Sequence, residues 1–180
     1  YMAIAWGVRN PTCCLWACHD YKNETVYIFD EHYVTNWTIQ DNANAIMEKH
    51  RGFKYSYNWL DPSAWREDPV SMSSVGLEFA RRGLVCKPAD NRKMYGIDIV
   101  KRFLRSKKLF ISSKCVNLIR ELNSYEWAAG TYGSDEGKED TKKYDDHACF
   151  PKGTMVKALF GDKDISKMKI VQNIFRGKNI

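Results

Sequence analysis

Short apolar runs separated by turn residues predict three consecutive β-strands at the start of the chain. The runs cover residues 1–6, 12–17 and 25–29, and the third is rich in β-branched and aromatic side chains. The stretches 7–11 and 20–23 lie between these runs and hold residues that favour tight turns. Because short turns join neighbouring strands, the pattern predicts an antiparallel meander.

After the meander, helical and strand periodicities alternate. Thr38 is the predicted N-cap of a first helix, and a strand over 55–60 follows it. The pattern then predicts a helix ending at Gly83, a strand over 84–87, a basic helix, a strand over 109–111 and a last helix over 116–122. The predicted fold class is α/β, an RNase H-like mixed sheet of three antiparallel strands and then alternating α and β elements, with helices on both faces.

Length and composition narrow the class of protein. The 180 residues, 44% of them hydrophobic, are enough for one domain with a real core. This excludes a disordered chain, a collagen-like repeat and a coiled coil. No apolar run reaches the roughly 20 residues that span a bilayer, and no signal peptide is recognisable, so we expect no membrane partner. The first residue is Tyr1 rather than Met, which is typical of a piece of a longer protein.

The six cysteines form neither a CxxC pair nor a Cys/His zinc pattern. Cys13, Cys14 and Cys18 lie in an apolar run and are expected to be small buried residues. This usage suits a reducing cytoplasm.

Positive charge is concentrated in residues 81–120. That stretch holds twelve Lys or Arg and two acids, a net +10, whereas the rest of the chain carries −4. A concentrated basic region attracts a polyanion by releasing condensed counterions, so the pattern indicates nucleic-acid binding, with a solvated helical face as the alternative. The candidate DNA contacts are Arg81, Arg82, Arg92, Lys93, Lys101, Arg102, Arg105, Lys107 and Lys108.

Carboxylates that converge from distant positions are the signature of a nuclease on such a sheet. Hydrolysis there uses two divalent cations, which generate the attacking hydroxide and stabilise the leaving oxygen, and oxygen ligands suit Mg²⁺ or Mn²⁺. Asp61 is the best candidate, because it ends an apolar strand and precedes Pro62, which cannot continue the ladder. An Asx turn before the proline is the alternative.

The second candidate is the run Asp145-Asp146-His147. Two acids and an imidazole in three residues are costly to crowd unless a cation or a basic partner neutralises them. A helix N-terminus, where acids suit the dipole, is the alternative. Asp30 and Glu31 follow the third predicted strand, and we expect a solvated strand end there rather than metal ligands.

Six motifs in order resemble the C-terminal nuclease domain of the large terminase subunit of tailed bacteriophages, from about Tyr1 to Ala148. They are Trp6-Gly7 with Asn10-Pro11-Thr12, Asp30-Glu31-His32-Tyr33, Asp61-Pro62-Ser63-Ala64, Asp90-Asn91-Arg92-Lys93 with Gly96-Ile97, Leu118-Ile119-Arg120-Glu121-Leu122 with Tyr125 and Trp127, and Asp145-Asp146-His147-Ala148. The resemblance implies an RNase H-like endonuclease that cuts concatemeric double-stranded viral DNA during genome packaging, in the cytoplasm of the infected bacterial host.

The resemblance also implies ligands and partners. The site of the intact family holds two metal ions, Mg²⁺ or Mn²⁺, and here Asp61 would bind metal with Asp146 and His147 at its edge. A terminase ATPase domain would lie upstream, and the small terminase subunit and the portal would be partners.

Ala5 departs from the family pattern. The family carries a metal-binding Asp in the first strand, just before an aromatic-Gly pair, and the matching position here is Ala5. A methyl group cannot bind a cation, so one acid of the site is lost and we expect the chain to be inactive. The register itself is kept, because Gly7 and Asn10-Pro11-Thr12 stand where the family has them.

A second departure begins at Cys149, where the family pattern continues to another acid. Cys149 to Val156 resembles the first block of an intein, and the Gly-Asp-Lys run at 161–163 extends the likeness. In that interpretation Cys149 is the intein nucleophile and attacks the Ala148 carbonyl in an N-to-S acyl shift.

Two segments follow from these motifs. Residues 1–148 form the nuclease domain, incomplete at its C-terminal end, and residues 149–180 form the start of an intein, a short β-rich segment. A basic, strand-rich tail of the nuclease domain is the alternative for the second segment. With an intein, the last acid of the site lies beyond this chain, so metal binding should be weak and cleavage negligible.

Two further functions stay open. The first is a catalytically dead DNA-binding module of a packaging motor, suggested by Ala5 and the basic region 81–120. The second is another RNase H-like nuclease, such as a resolvase or transposase, which an ATPase domain upstream would separate from a terminase.

Overall fold

The computed structural model describes residues 1–50, 57–90 and 92–124, and these form one six-stranded mixed sheet with helices around it. The strands are β1 (Met2–Ala5), β2 (Thr12–Asp20), β3 (Thr25–Val34), β4 (Asn58–Leu60), β5 (Lys87–Pro88) and β6 (Leu109–Ile111). The helices are α1 (Ile39–His50), α2 (Val75–Arg81), α3 (Lys93–Arg105) and α4 (Val116–Ser124), and a short 3₁₀ helix (Pro62–Trp65) follows β4.

The sheet has the strand order β5-β4-β1-β2-β3-β6. β1, β2 and β3 pair antiparallel, as the meander predicts. β4 pairs parallel with β1, β5 parallel with β4, and β6 parallel with β3. The C-terminal ends of β1 and β4 therefore meet at one edge of the sheet, which is where α/β sheets carry ligand sites.

Among the six predicted strands, the one over 109–111 has its predicted bounds and the other five differ. The strands predicted over 1–6, 12–17 and 55–60 are Met2–Ala5, Thr12–Asp20 and Asn58–Leu60. The third strand continues to Val34, beyond the predicted residue 29, because residues 30–34 stay paired with β2. The strand predicted over 84–87 is Lys87–Pro88, since Leu84 and Cys86 pack into the core instead.

Helix starts follow local capping chemistry. Thr38 precedes α1, and its Oγ1 accepts a hydrogen bond from the Asp41 N–H at 3.1 Å. Ser74 caps α2 in the same way, accepting from the Leu77 N–H at 3.2 Å. Each cap satisfies an N–H that the helix itself leaves open, so the predicted N-cap at Thr38 is confirmed.

Strand alternation divides the core between the two faces of the sheet. On one face, which we call the α3/α4 face, Ala3 and Leu15 pack against α3 and α4. On the other, the α1/α2 face, Ile4 and Trp16 pack against α1 and α2. Helices cover both faces, as the sequence predicts.

The β1–β2 turn closes tightly around Gly7. A Cβ at this position would overlap the Asn10 carbonyl, so only glycine fits there. Thr12 Oγ1 donates to the Gly7 carbonyl at 2.8 Å and ties the turn to the start of β2. The turn thereby fixes the register that sets Ala5 opposite Cys13.

Three remaining expectations concern membranes, cysteines and the C-terminal segment 149–180. Within the described ranges, no helix is long and apolar enough to cross a membrane. Cys13 and Cys14 are buried as predicted, whereas Cys18 is exposed, because it lies beyond the covered part of β2. The predicted segment 149–180 lies outside the described residues.

Candidate functional site

Asp61 lies directly after β4 and is buried, with 6% of its surface exposed. Its N–H donates to the Ile4 carbonyl at 3.0 Å, which extends the β1–β4 pairing by one residue. Its Oδ1 accepts from the Ser63 N–H at 2.6 Å, so one oxygen makes the Asx turn and caps the 3₁₀ helix. Among the described residues Oδ2 has no hydrogen-bond partner, and it is the atom available to a ligand.

Ala5 lies beside Asp61 on the neighbouring strand. Ile4 is the register partner of Leu60, so the next residues of the two parallel strands are Ala5 and Asp61. The Ala5 side chain packs into the α3/α4 face and is 6% exposed. The structure therefore brings together Asp61, the predicted metal ligand, and Ala5, the position where the resemblance expects an acid, and that pair holds a single carboxylate.

The other predicted ligands are not placed. Asp146, His147 and Cys149 lie outside the described residues. Over residues 1–50, 57–90 and 92–124, no group of three or more His, Cys, Asp or Glu is arranged to hold a metal ion.

Buried thiols on both faces stay protonated. Burial raises the pKa of the Cys115 thiol to about 12, and the Glu31 and Asp30 charges act in the same direction. Burial likewise raises the pKa of Cys86 to about 12. Thiols with such pKa values are protonated at neutral pH and are therefore poor nucleophiles.

Glu31 lies inside β3 and is buried, so the expected solvated strand end is wrong at this residue. Its Oε1 accepts from the Asn117 N–H at 2.8 Å and from the Asn117 side chain at 2.9 Å, and its Oε2 accepts from the Leu118 N–H at 3.0 Å. The carboxylate thus caps α4 from a strand. Asp30 fits the expectation better, since it pairs with Lys49 at 3.0 Å and keeps 37% of its side chain exposed.

A third buried acid, Glu121 on α4, was not among the predicted site residues. It is fully buried and accepts a hydrogen bond from the Tyr33 hydroxyl at 2.7 Å. The Arg120 guanidinium lies 5.5 Å from the centroid of the Tyr33 ring. The sequence contains a signal for the burial of Glu121, because at helical spacing residue 121 shares a face with the apolar positions 118 and 122. Tyr33 pairs with Cys13, the register partner of Ala5, so this contact lies two strands away from the lost acid.

The exposed part of the basic region lies on the outer side of α3. Lys101, Arg102 and Arg105 are exposed there, and Lys107 follows just after the helix. Within the described chain, Arg102, Arg105 and Lys107 form no salt bridge. These charges are therefore available to phosphate groups.

Three other predicted DNA contacts have acidic partners. Arg81 and Arg82 bind Glu78 at 2.5 and 2.6 Å, and the hydrogen bond from Arg82 is the main reason that the pKa of Glu78 falls to about 2. Arg92 binds Asp90 at 2.7 Å. The side chain of Lys93 lies outside the described residues. Partial neutralisation weakens the long-range attraction of these arginines for DNA.

The structure corrects the prediction for Lys108. Its side chain is 4% exposed, and its Nζ lies 3.2 Å from Oε2 of Glu24 in the β2–β3 turn. The charge joins two parts of the fold and does not reach the surface. The neighbouring sequence gives no indication that Lys108 is buried, because its partner Glu24 lies 84 residues earlier.

Comparison with known proteins points to the large terminases of bacteriophages. Over 128 residues, 70% of this chain, the sequence is 22% identical to the terminase large subunit of Escherichia phage T5. The chain spans 27% of that protein. No protein-family model matches the chain.

Solved structures agree with the sequence relative. The large terminase of a thermophilic bacteriophage superposes with a TM-score of 0.69 at 20% identity, covering 87% of this chain and 38% of that one. The nuclease domain of the large terminase of bacteriophage SPP1, with bound Mn, gives a TM-score of 0.55 at 15% identity, covering 81% and 77%. The chain has the fold of the large terminase nuclease domains. The predicted RNase H-like fold class and the resemblance to large terminases are therefore confirmed.

Proposed function

We propose that the chain is the nuclease domain of a DNA-packaging terminase large subunit, inactive as written. The intact reaction is metal-dependent endonucleolytic cleavage of concatemeric double-stranded viral DNA. The supporting observation is Asp61, a buried acid with one open oxygen, at the edge where β4 and β1 end side by side. The upstream ATPase domain, the small subunit, the portal and the host cytoplasm belong to this proposal.

The metal chemistry rests on oxygen ligands. The SPP1 relative was solved with bound Mn, and a carboxylate oxygen suits Mn²⁺ or Mg²⁺. The described residues do not fit a two-ion site by themselves, because Asp61 supplies one carboxylate and Ala5 supplies none. Asp146 and His147 are the further ligands that we propose, and the inactivity of the chain follows from what the site lacks.

DNA binding is a separate property from cleavage. Lys101, Arg102, Arg105 and Lys107 offer exposed positive charge on and next to α3. Contacts of this kind bind backbone phosphates and carry no sequence information. We therefore propose non-specific binding that weakens steeply as salt rises.

The second candidate is a catalytically dead DNA-binding module, which Ala5 favours. Both candidates bind DNA through the exposed basic residues on and next to α3. They differ only in whether the intact protein has a metal site that cleaves DNA. A resolvase or transposase is the third candidate, and an ATPase domain upstream in the same coding region separates it from a terminase.

We also propose that residues 149–180 begin an intein with Cys149 as its nucleophile. Support comes from the run Cys149 to Val156. The test is the intact mass of the protein produced from the whole coding region. A product in which Ala148 is joined to a terminase-like continuation supports the proposal, and a product that retains Cys149 after Ala148 contradicts it.

The decisive test of the nuclease is a plasmid-nicking assay with Mn²⁺. It compares this chain with a variant that carries Ala5→Asp and a terminase-like continuation after Ala148. We expect the repaired variant to cut and the chain as written to leave the plasmid intact. Adding Asp61→Ala to the repaired variant should lower the rate by about 100-fold or more, because metal stabilisation of the transition state contributes several kcal/mol.

Two other results have clear meanings. A repaired variant that binds the plasmid without nicking it supports the DNA-binding module. Nicking that persists after Asp61→Ala contradicts the assignment of Asp61 to the metal.

A further inference from the structure

Aromatic side chains and a lysine form a continuous strip on the α3/α4 face, at the end of β1 and β4 that lies away from Asp61. The Tyr1 and Tyr57 rings are stacked with centroids 6.3 Å apart at an interplanar angle of 21°. The Tyr57 and Trp59 centroids are 5.7 Å apart, and Lys87 Nζ lies 5.0 Å from the Tyr57 centroid. We call these four residues the aromatic strip.

The strip is open to solvent yet held by the sheet. Tyr57 is 45% exposed, and Lys87 is exposed beside it. Trp59 is anchored in β4 and packs against the α3/α4 core, as does Tyr1. Tyr57 directly precedes β4, and its carbonyl accepts a hydrogen bond from the Met2 N–H at 3.1 Å, so its backbone is held beside β1. A ring held in this way loses little conformational freedom when a ligand stacks on it, so the strip is preorganised for a flat ligand.

The strip continues along β4 to the candidate site. Tyr57, Trp59 and Asp61 stand at alternate positions, so their side chains project from the same side of the strand. At about 3.3 Å per residue, Tyr57 lies roughly 13 Å from Asp61 along β4. That distance is close to four nucleotides of a stacked strand at about 3.4 Å each.

We propose that the aromatic strip is a stacking platform for an unpaired stretch of DNA that leads to Asp61. The proposal rests on the proposed nuclease function, and it adds that one strand of the double-stranded substrate is unpaired where it leads to Asp61. Every base has a π-face, so stacking on tyrosine or tryptophan tolerates any sequence, and a lysine beside the rings meets the backbone charge. Bases within a duplex are already stacked on each other, so the platform selects frayed or single-stranded DNA.

Anisotropy measurements on the full chain test the platform without involving cleavage. The probes are a labelled oligothymidylate of about 12 nucleotides and a duplex of equal length, in EDTA, because a site of this type covers about 4–16 nucleotides. We expect Tyr57→Ala to weaken oligothymidylate binding by about fivefold or more and duplex binding by less than about twofold. Tyr57→Phe should bind like the original chain, since the ring is retained. Lys87→Gln should reduce the salt dependence by about 0.7 in the logarithmic slope.

Tyr27→Ala is the matched control. Tyr27 is also a strand tyrosine in a stacked pair, with its ring centroid 5.3 Å from that of Phe110, but it faces the α1/α2 side. Its loss should leave both affinities unchanged. Thermal melting of each variant confirms that the fold is retained.

Each outcome separates the platform from the nuclease. Unchanged oligothymidylate affinity in Tyr57→Ala, or equal losses for single strand and duplex, overturns the platform even if the repaired variant nicks plasmid. A selective loss in Tyr57→Ala supports the platform even if the repaired variant never cuts. A comparable loss in Tyr27→Ala overturns it, because the effect then does not belong to this strip.

Discussion

Glu31 and Asp61 are both buried acids of the same sheet, but their oxygens are used differently. Both oxygens of Glu31 accept hydrogen bonds, from three N–H donors of Asn117 and Leu118. Asp61 uses Oδ1 for Ser63, and its Oδ2 has no partner among the described residues. A saturated carboxylate holds two elements together, whereas a carboxylate oxygen without a protein partner at a strand end can still accept a ligand. If Asp61 is the metal ligand that we propose, its unfilled acceptor position distinguishes it from the structural acid Glu31, whereas burial does not.

The sharpest test of this contrast is the stability of two amide variants. Glu31→Gln removes the charge and turns an NH₂ group toward backbone donors, so we expect a loss of about 2–4 kcal/mol in the free energy of unfolding. Asp61→Asn keeps an acceptor for the Ser63 N–H and should change stability by less than about 0.5 kcal/mol. Urea unfolding followed by circular dichroism measures both.

Glu48→Gln, at an exposed position of α1, is the control and should be neutral within about 0.5 kcal/mol. Equal losses in the Glu31 and Asp61 variants would show that Asp61 is as structural as Glu31. The nuclease interpretation of its open oxygen would then fail.

The basic residues also divide into a buried structural group and an exposed group available to a ligand, with a smaller expected effect on stability. Lys108 is buried against Glu24, whereas Arg102 and Arg105 are exposed on α3. We expect Lys108→Met to lower stability by about 1–2 kcal/mol and to leave duplex affinity unchanged, because its charge does not reach DNA. Arg102→Gln with Arg105→Gln should leave stability unchanged and lower the logarithmic salt slope of duplex binding by about 1.8. Urea unfolding and anisotropy titrations over a salt series separate the two properties, and a loss of duplex affinity in Lys108→Met would refute the division.

Local sequence patterns predict most helices and strands correctly. The predictions that fail concern side chains whose partners are distant in sequence. The position of Asp61 follows from an apolar strand that ends before Pro62, and the register of Ala5 follows from Gly7. The burial of Glu31 depends on α4, which begins 85 residues later in the sequence. The acids at 30 and 31 resemble a strand end because no neighbouring residue indicates that partner. Lys108 is missed for the same reason, since one lysine in a basic run turns inward only when the distant turn at Glu24 meets it.

The smallest predicted effect is a pH dependence on the α1/α2 face. His32 is buried on β3, and its Nε2 lies 2.9 Å from Oδ1 of Asn42, whose own side-chain N–H donates to Thr38. Burial lowers the pKa of His32, the Asn42 hydrogen bond opposes that shift, and the nearby Lys49 and Asp30 charges act in opposite directions.

The folded state favours the neutral imidazole of His32, so the unfolded chain binds more protons as the pH falls. The contribution of His32 to the free energy of unfolding is therefore complete above about pH 6.5 and is lost as the pH drops below that value. In His32→Gln this part of the dependence should vanish. Urea unfolding at several pH values between 5 and 8 gives the two curves, and His50, whose pKa burial also lowers, contributes equally to both. If the stability curves of the original chain and of His32→Gln stay parallel below pH 6.5, His32 is not the titrating group. Protonation would then not affect the hydrogen bond between His32 and Asn42.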